Sequence, residues 1–185
     1  MGNQDLHKEL DIIQSVINRM ANNSFLVKGW AMSIIAALTI FSKDSLIQGL
    51  VNPSGFAPIF TLLVMFLILV SFWWLDAFFL RQEQLFRKVY ERAVADPMAS
   101  TRTRFDLNPQ DALAQMNQKR EDAMAMLSAA KTEAERNNAT YLLNKNILKS
   151  EEQLMFSKTL YAFYIPLVFG ILACLAIWGI GMLKS

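Results

Sequence analysis

The sequence is too poor in several residue types to support many kinds of chemistry. It contains one cysteine and one histidine. A single cysteine cannot form a disulfide within the chain, so cysteine gives no sign of an oxidising compartment. His7 has no second histidine or cysteine beside it to share a metal ion. The sequence also lacks a glycine-rich phosphate loop, a G-x-S-x-G motif and a C-x-x-C motif. We therefore predict that the protein is not an enzyme and uses no metal or cofactor.

Charge is scarce as well, because only 18% of the 185 residues are charged, against about 25% in a typical soluble protein. Apolar residues make up 54% of the chain and are concentrated in three blocks. Each block is long enough to cross a bilayer as one helix. The composition thus excludes an ordinary soluble domain and predicts an all-α membrane protein with three transmembrane helices.

Four segments follow from this pattern. We predict an N-terminal amphipathic cytoplasmic helix at 1–24, a transmembrane hairpin at 25–80 with spans at about 25–42 and 56–80, a helical cytoplasmic domain at 81–158, and a third transmembrane helix at 159–183. The first segment carries a heptad-like seam made of Leu6, Leu10, Ile13, Ile17, Met20 and Ser24. Three alternatives stay open for this seam: packing on the chain's own cytoplasmic helices, lying on the bilayer surface, or bundling with other copies.

The second span is the stretch around which the rest is arranged. Phe56 to Leu75 carries no charge over twenty residues, about 30 Å of helix. The apolar period then continues past Tyr90, without glycine or proline, until Asp96-Pro97. We predict one helix that leaves the membrane and continues into water.

The connecting segments give weaker signals. Lys43 to Ala57 reads as a loop without folded content. Asn108 followed by Pro109 predicts the start of a helix that runs to about Arg136. Asn137-Asn138 then marks a break, after which the chain is predicted to join the third span directly.

Charged residues at the membrane exit are the first group of candidate site residues. The candidates for a switch are Lys28, Asp76, Arg81, Glu83 and Arg87. An acid at membrane depth suggests a functional site. Three interpretations of Asp76 stay open: a structural pair with Lys28, a solvated charge, or a gating group.

Small residues at intervals of four form a second group of candidates, for helix packing. They are Gly29, Ser33 and Ala37 in the first span, with Ala162, Gly170 and Cys174 in the third. Such ridges let helix backbones approach closely. The first ridge packs either on the second span of the same chain or against another subunit.

Arg102 and Arg104 lie close together in a polar linker. Two arginines in such a place suit an anion or nucleotide phosphate. The alternatives are a solvated loop or attraction to anionic lipid headgroups.

The distribution of positive charge predicts the orientation. Sixteen of the eighteen lysines and arginines fall on the side that holds the N-terminus and residues 81–158. Cytoplasmic loops carry such an excess. We therefore expect a bacterial inner-membrane protein with those regions in the cytoplasm and a periplasmic C-terminus.

Two stretches resemble small bacterial inner-membrane proteins. The first contains Arg19-Met20-Ala21, Asn23-Ser24-Phe25 and Lys28-Gly29-Trp30, and the second contains Trp74-Leu75-Asp76-Ala77, Phe79-Leu80-Arg81, Glu83, Phe86-Arg87 and Tyr90. They are similar to membrane components of antiphage defence systems, such as effectors of cyclic-oligonucleotide signalling or the membrane subunit of Kiwa. The resemblance implies a helical membrane protein that senses infection or disrupts the membrane on command. Three spans depart from the two- or four-span layouts of several such families.

These observations lead to two hypotheses. The first is a homo-oligomeric membrane protein of antiviral defence whose cytoplasmic helices receive a signal, from a small nucleotide or a partner protein. The signal would alter membrane integrity or recruit an effector. The second is a scaffold that anchors a soluble cytosolic complex to the membrane without forming a pore. We expect no direct binding of nucleic acid.

Overall fold

The computed structural model describes residues 2–51, 56–98, 100, 103–145 and 150–184. Every regular element in these ranges is an α-helix, which confirms the all-α class. In chain order the helices are α1 (Gly2–Phe41), α2 (Lys43–Val51), α3 (Ala57–Ala95), α4 (Pro109–Ala129), α5 (Glu133–Lys145), α6 (Glu151–Met155) and α7 (Lys158–Lys184).

Three of these helices are long and apolar enough to cross a membrane, as predicted. They are Gln4–Phe41, Ala57–Ala95 and Lys158–Leu183. The first of them is one uninterrupted helix, so the amphipathic segment and the first apolar block are not separated by a break near residue 24. Helix α3 is likewise continuous from its apolar part to Ala95, where Asp96-Pro97 ends it because proline disfavours a helical residue before it.

The prediction of an unstructured loop after the first span is wrong, because Lys43–Val51 is helix α2. Ser42 is a turn residue between α1 and α2, yet helical hydrogen bonding continues across it. Its backbone N–H donates to Leu38 and its carbonyl accepts from Leu46, both at 2.9 Å. Residues 52–55 of the predicted loop, whose sequence Asn-Pro-Ser-Gly is a turn signal, lie outside the described residues.

The polar connection also differs from the prediction. Helix α4 starts as expected, with the Asn108 side chain accepting from Gln110 N–H at 3.1 Å and Pro109 in the first turn. It ends at Ala129 rather than near Arg136. The break at Asn137-Asn138 is therefore wrong, since both asparagines lie inside α5.

A capping box explains why the new helix starts where it does. Glu135 Oε2 accepts from the backbone N–H groups of Lys131 and Thr132, while Thr132 Oγ1 accepts from Glu135 N–H. This reciprocal pattern satisfies donors that a helix start leaves unpaired. The predicted direct continuation into the third span is also wrong, because a turn at Phe156–Ser157 separates α6 from α7.

The chain forms two compact units. The polar unit comprises Met1–Ala21 and Arg81–Ser150, and the apolar unit comprises Asn22–Leu80 and Glu151–Ser185. In the polar unit, Ile13 and Ile17 of α1 pack with Val89 and Ala93 of α3 and Ala112 of α4. The N-terminal seam thus packs on helices of its own chain, the first of the three alternatives. Burying each isoleucine contributes about 1.5–3 kcal/mol.

The apolar unit has a core that draws on α1, α3, α6 and α7. Its buried side chains include Ala31, Leu69, Leu154 and Tyr164. Helix α2 contacts α7, and its Gly49 lies against the start of α3. A Cβ atom at position 49 would clash with the ring of Pro58. Glycine is therefore required for this close approach of α2 to the proline ring.

Candidate functional site: a buried ion pair among three apolar helices

The Asp76 side chain is the main polar feature of the apolar unit. It lies on α3 and is 0% exposed. Its neighbours along the helix, Trp73 and Ala77, belong to the hydrophobic core. A carboxylate in such surroundings loses several kcal/mol of hydration, unless other groups compensate its charge and bond its oxygens. The surroundings of Asp76 supply both kinds of compensation.

Helix α1 supplies the charge and a hydroxyl group. Lys28 Nζ lies 2.5 Å from Asp76 Oδ2, and the Ser24 hydroxyl donates to Asp76 Oδ1. Lys28 Nζ also donates to Ser24 Oγ at 3.0 Å. Because Ser24 and Lys28 are four residues apart, they lie on one face of α1 and reach Asp76 together. The predicted pair with Lys28 is confirmed, and the alternative of a solvated aspartate is wrong.

Helix α7 supplies a third side chain, which sequence analysis missed. The Tyr164 hydroxyl lies 3.2 Å from Asp76 Oδ2 and 3.3 Å from the carbonyl oxygen of Phe72. Tyr164 is fully buried. The two acceptors share its one proton. The carboxylate of α3 is therefore bonded by side chains from both α1 and α7, and we call Ser24, Lys28, Asp76 and Tyr164 the ion-pair cluster.

An aromatic group continues from the ion-pair cluster to the start of α7. Trp73 stacks on Tyr164, with ring centroids 5.7 Å apart and planes at 10°. Its indole N–H donates to the Met155 carbonyl at 2.8 Å, and Phe156 meets its ring edge-on at 5.8 Å. The last turn of α6 is thus bonded to the residue that covers Tyr164.

The remaining switch candidates lie in the polar unit. Glu83 and Arg87 form an ion pair within α3, at 2.7 Å between Oε1 and Nη2. Pairs of this kind, four residues apart on a helix, contribute only about 0.3–0.5 kcal/mol. Arg81 is half-buried on the same helix. The structure therefore joins Lys28 to Asp76 and Glu83 to Arg87, and the first pair is the more deeply buried.

Most of the small-residue candidates lie on the outside of the chain. Gly29, Ser33 and Ala37 are exposed, whereas Val27 and Ala31 of α1 face inward. The interpretation that this ridge packs on the second span of the same chain is therefore wrong, because the inward face of α1 is offset from it. Contact with another subunit stays a prediction.

The second ridge is divided between two surfaces. Ala162 and Gly170 are exposed, while Cys174 is half-buried. Cys174 packs against the core of the apolar unit and lines a small cavity of about 40 Å³ together with Trp178 and Gly49. Only the last member of this ridge is thus in contact with the interior.

The arginine candidates give no anion site within the described residues. Arg104 lies 3.8 Å from Asp5 Oδ2 and donates to the Pro97 carbonyl at 3.2 Å. It therefore joins the linker to α1 and to the end of α3. Arg102 lies outside the described residues, so a phosphate contact at this linker stays a prediction.

Glu9 is a second buried acid that sequence analysis missed. It lies on α1 in the polar unit and is 1% exposed. Its Oε1 accepts from Phe105 N–H at 3.0 Å. Phe105 has a φ of 59°, a left-handed conformation that costs a non-glycine residue roughly 1–2 kcal/mol. The spacing of Asp5 and Glu9, four residues apart beside the apolar seam, was the available signal.

A groove in the apolar unit is lined by apolar side chains. Its volume is about 340 Å³, and its lining residues are Phe56, Ile59, Phe60, Leu63, Phe66, Leu172 and Leu175. Within the described part of the chain, no group of three His, Cys, Asp or Glu side chains is placed to hold a metal ion. The ion-pair cluster is therefore the strongest candidate for function.

Comparison with protein-family models, curated protein sequences and solved structures found no match to this chain. The resemblance to antiphage membrane components accordingly stays a hypothesis that rests on the residues quoted for it.

Proposed function

We propose that this chain is a bacterial inner-membrane protein of antiviral defence that works as a homo-oligomer. Its helices α1, α3 and α7 cross the membrane, and its polar unit lies in the cytoplasm and receives a signal. The response is a change in membrane integrity or the recruitment of an effector. The observation that carries the proposal is the ion-pair cluster, since ionisable residues within membrane spans are rare and usually functional.

The ion-pair cluster suits a switch because its closed and open states differ strongly in electrostatic energy. With Lys28 at 2.5 Å from Asp76, the two charges compensate each other and the spans enclose a neutral group. Separation of the two charges leaves the fully buried Asp76 as an uncompensated charge in apolar surroundings, which is costly unless water or ions enter. A signal that separates them would therefore promote water entry between the spans.

Helix α3 offers a physical connection for such a signal. It is uninterrupted from Ala57 to Ala95, carries Asp76 in the apolar unit, and packs through Val89 and Ala93 in the polar unit. The signal proposed is a small nucleotide or a partner protein that binds the polar unit. The exposed ridge of Gly29, Ser33 and Ala37 is the proposed contact between copies.

A second candidate is an anchor that holds a cytosolic complex at the membrane and forms no pore. The packing of the apolar unit favours it, because Leu62, Met65 and Leu69 are buried. The hydroxyls of Ser33, Thr39, Thr61 and Ser71 each donate to a carbonyl one turn earlier in the same helix. These groups do not line a water-filled path in a single chain.

The test is a phage challenge of cells that carry the gene with its neighbours, combined with a membrane-potential dye. Lys28→Met leaves Asp76 without its counter-charge, and we expect either depolarisation without phage or loss of protection. Lys28→Met combined with Asp76→Leu removes both charges and should abolish depolarisation. Lys158→Met, at an exposed lysine of α7, is the matched control and should behave as wild type.

The outcomes separate the two candidates. Protection that is accompanied by depolarisation supports the membrane-integrity response. Protection without depolarisation, and with no effect of Lys28→Met on the potential, supports the anchor. If the wild-type chain changes neither infection nor potential, the assignment to antiviral defence is wrong.

A further inference from the structure

We infer that the turn at Phe156–Ser157, with the Met155 carbonyl that precedes it, controls the Lys28–Asp76 pair, and that Trp73 and Tyr164 transmit its position. The inference deepens the proposed function, since it names the input of the proposed switch. In this arrangement Tyr164 is a positioning residue for the ion pair. Movement of the turn would withdraw Tyr164 from Asp76 and thereby loosen the pair.

The first step in the argument is the bond between the turn and Trp73. The Met155 carbonyl is the last of α6, and it accepts from the Trp73 indole N–H at 2.8 Å. Phe156, the next residue, touches the edge of the same ring. Phe156 is 68% exposed, so burial accounts for little of its position. The turn thus contacts α3 through the indole ring, directly after Leu154, which is buried in the core.

The second step is the stack between Trp73 and Tyr164. Their rings are nearly parallel, at 10°, with centroids 5.7 Å apart. Tyr164 is also held edge-on by Phe163 at 4.8 Å. A displaced indole would remove one wall of the site that fixes the tyrosine ring. Since packed interiors shift between discrete arrangements and do not deform continuously, the hydroxyl would be expected to leave its acceptors.

The third step is the effect on the carboxylate. Tyr164 and Lys28 both act on Asp76 Oδ2, while Ser24 donates to Oδ1. Loss of the hydrogen bond from Tyr164 would leave Lys28 as the partner of Oδ2. A hydrogen bond to a charged group contributes enough stability to change an opening equilibrium at least roughly tenfold.

The turn is also placed where a signal would arrive along the chain. The chain enters the apolar unit at Glu151, and α6 has only five residues before the turn. The chain also passes between the two units within α1 and within α3, so this turn is one of three places where a signal travelling along the chain reaches the apolar unit. A helix of five residues has fewer backbone hydrogen bonds to break than α1, α3 or α7, and we therefore assign the input to its turn.

The test measures how fast dicyclohexylcarbodiimide labels Asp76 in the purified, detergent-solubilised full chain, followed by mass spectrometry of the Asp76 peptide. This apolar reagent adds to a neutral carboxyl group and forms an O-acylisourea. The O-acylisourea rearranges to a stable N-acylurea, so that no group leaves. A carboxylate held by Lys28 reacts slowly, so the rate reports opening of the pair. We expect Tyr164→Phe and Trp73→Phe each to raise the rate at least roughly tenfold.

The decisive comparison is the double variant. If Trp73 acts through Tyr164, then Trp73→Phe in the Tyr164→Phe background should give no further increase. If the two effects multiply instead, or if Trp73→Phe leaves the rate at the wild-type value, the inference is wrong. If each ring only stabilised the fold, the two substitutions would act independently and their effects on the labelling rate would multiply.

Matched controls exist on the same helices. Trp74→Phe changes an exposed tryptophan that stacks on Phe78, and Tyr161→Phe changes an exposed tyrosine of α7; both should label at the wild-type rate. Phe156→Ala perturbs the turn directly and should match Trp73→Phe, which keeps the test decisive if one aromatic variant fails to fold. Since no phage or trigger is used, failure here is distinguishable from failure of the defence assignment.

Discussion

Within the part of the chain that the structure describes, each unit buries one acidic side chain, and the two acids bond different parts of the structure. Asp76 in the apolar unit is bonded by side chains from two other helices, and one of these side chains is a lysine. Glu9 in the polar unit accepts from the backbone N–H of Phe105 in a linker. The first acid lies against a lysine of the apolar unit, and the second bonds the backbone of a linker residue that has a positive φ.

The difference teaches what each buried acid is suited to do. A charge pair separates into two uncompensated charges, so its opening has a large electrostatic consequence for the apolar unit. A carboxylate that accepts from a backbone amide holds a local conformation, and its loss leaves one unpaired donor. We therefore propose that Asp76 is part of the switch and that Glu9 positions the linker at 103–107.

The largest expected effect is at Asp76. Asp76→Asn preserves the shape of the side chain but leaves Lys28 without its counter-charge. Since removal of one partner of a buried pair costs about 3–5 kcal/mol and Lys28 is 24% exposed, we expect a loss near the lower end. Thermal unfolding in detergent measures it. Asp44→Asn, at an exposed acid of α2, should cost less than about 1 kcal/mol; equal losses would contradict the account.

A smaller effect is expected at Glu9. Glu9→Ala leaves the Phe105 N–H without this acceptor and should destabilise the polar unit by about 1–3 kcal/mol. Glu9→Gln keeps a carbonyl oxygen in place and should keep the Phe105 amide protected better than Glu9→Ala does. Hydrogen exchange of the Phe105 amide is the direct readout. Slow exchange in Glu9→Ala would show that Glu9 does not hold the linker.

Replacement of the strained residue, Phe105, by glycine should change the stability in the opposite direction. Phe105→Gly relieves the positive φ of 59°, while glycine costs about 0.5–1 kcal/mol of chain entropy. The variant should therefore be neutral or slightly stabilising, although it removes a large side chain that is 45% exposed. Phe105→Val keeps the strain with a branched side chain and should be destabilising. Urea unfolding measures the change in the free energy of unfolding of both variants. If Phe105→Gly is destabilised, the packing of the phenyl ring contributes more stability than the positive φ costs.

The smallest effect is expected at an exposed acid of the polar unit. Backbone donation, first from Lys131 and then from Thr132, lowers the pKa of Glu135 below its ordinary value of 4.5. A lowered pKa in the folded state means that the stabilisation is present above pH 4.5 and is lost as the pH falls through the folded value. Glu135→Gln should therefore lower the melting temperature slightly at pH 7 and not at pH 3. An equal difference at both values would show that the charge is irrelevant.

Sequence patterns predicted the parts of this structure that depend on composition and local spacing. Long uncharged runs identify the three apolar helices, and Asn108-Pro109 marks the start of α4, because both signals act within a few residues. The Lys28–Asp76 pair was predictable because a helical hairpin brings the ends of two spans together. The helix α2 was missed, since a nine-residue helix beside a turn signal has little periodicity.

The contacts that depend on packing between distant elements were not predictable. A tyrosine near the start of a membrane span suits the membrane interface, yet the Tyr164 hydroxyl reaches Asp76, eighty-eight positions away in the chain. Only the rotation and depth of α7 relative to α3 decide this. The same holds for the outward direction of Gly29 and Ser33, because a ridge of small residues does not reveal which neighbour it faces.

The most direct test of the central claim is a double-mutant cycle for Lys28 and Asp76. The stability of wild type, Lys28→Met, Asp76→Leu and the double variant is measured by thermal unfolding in one detergent. If the two charges form one buried pair, each single variant should be strongly destabilised and the double variant should recover, with a coupling energy of at least about 2 kcal/mol. If the stability losses of the two single variants sum to the loss of the double variant within about 0.5 kcal/mol, the two residues act independently and the account is wrong.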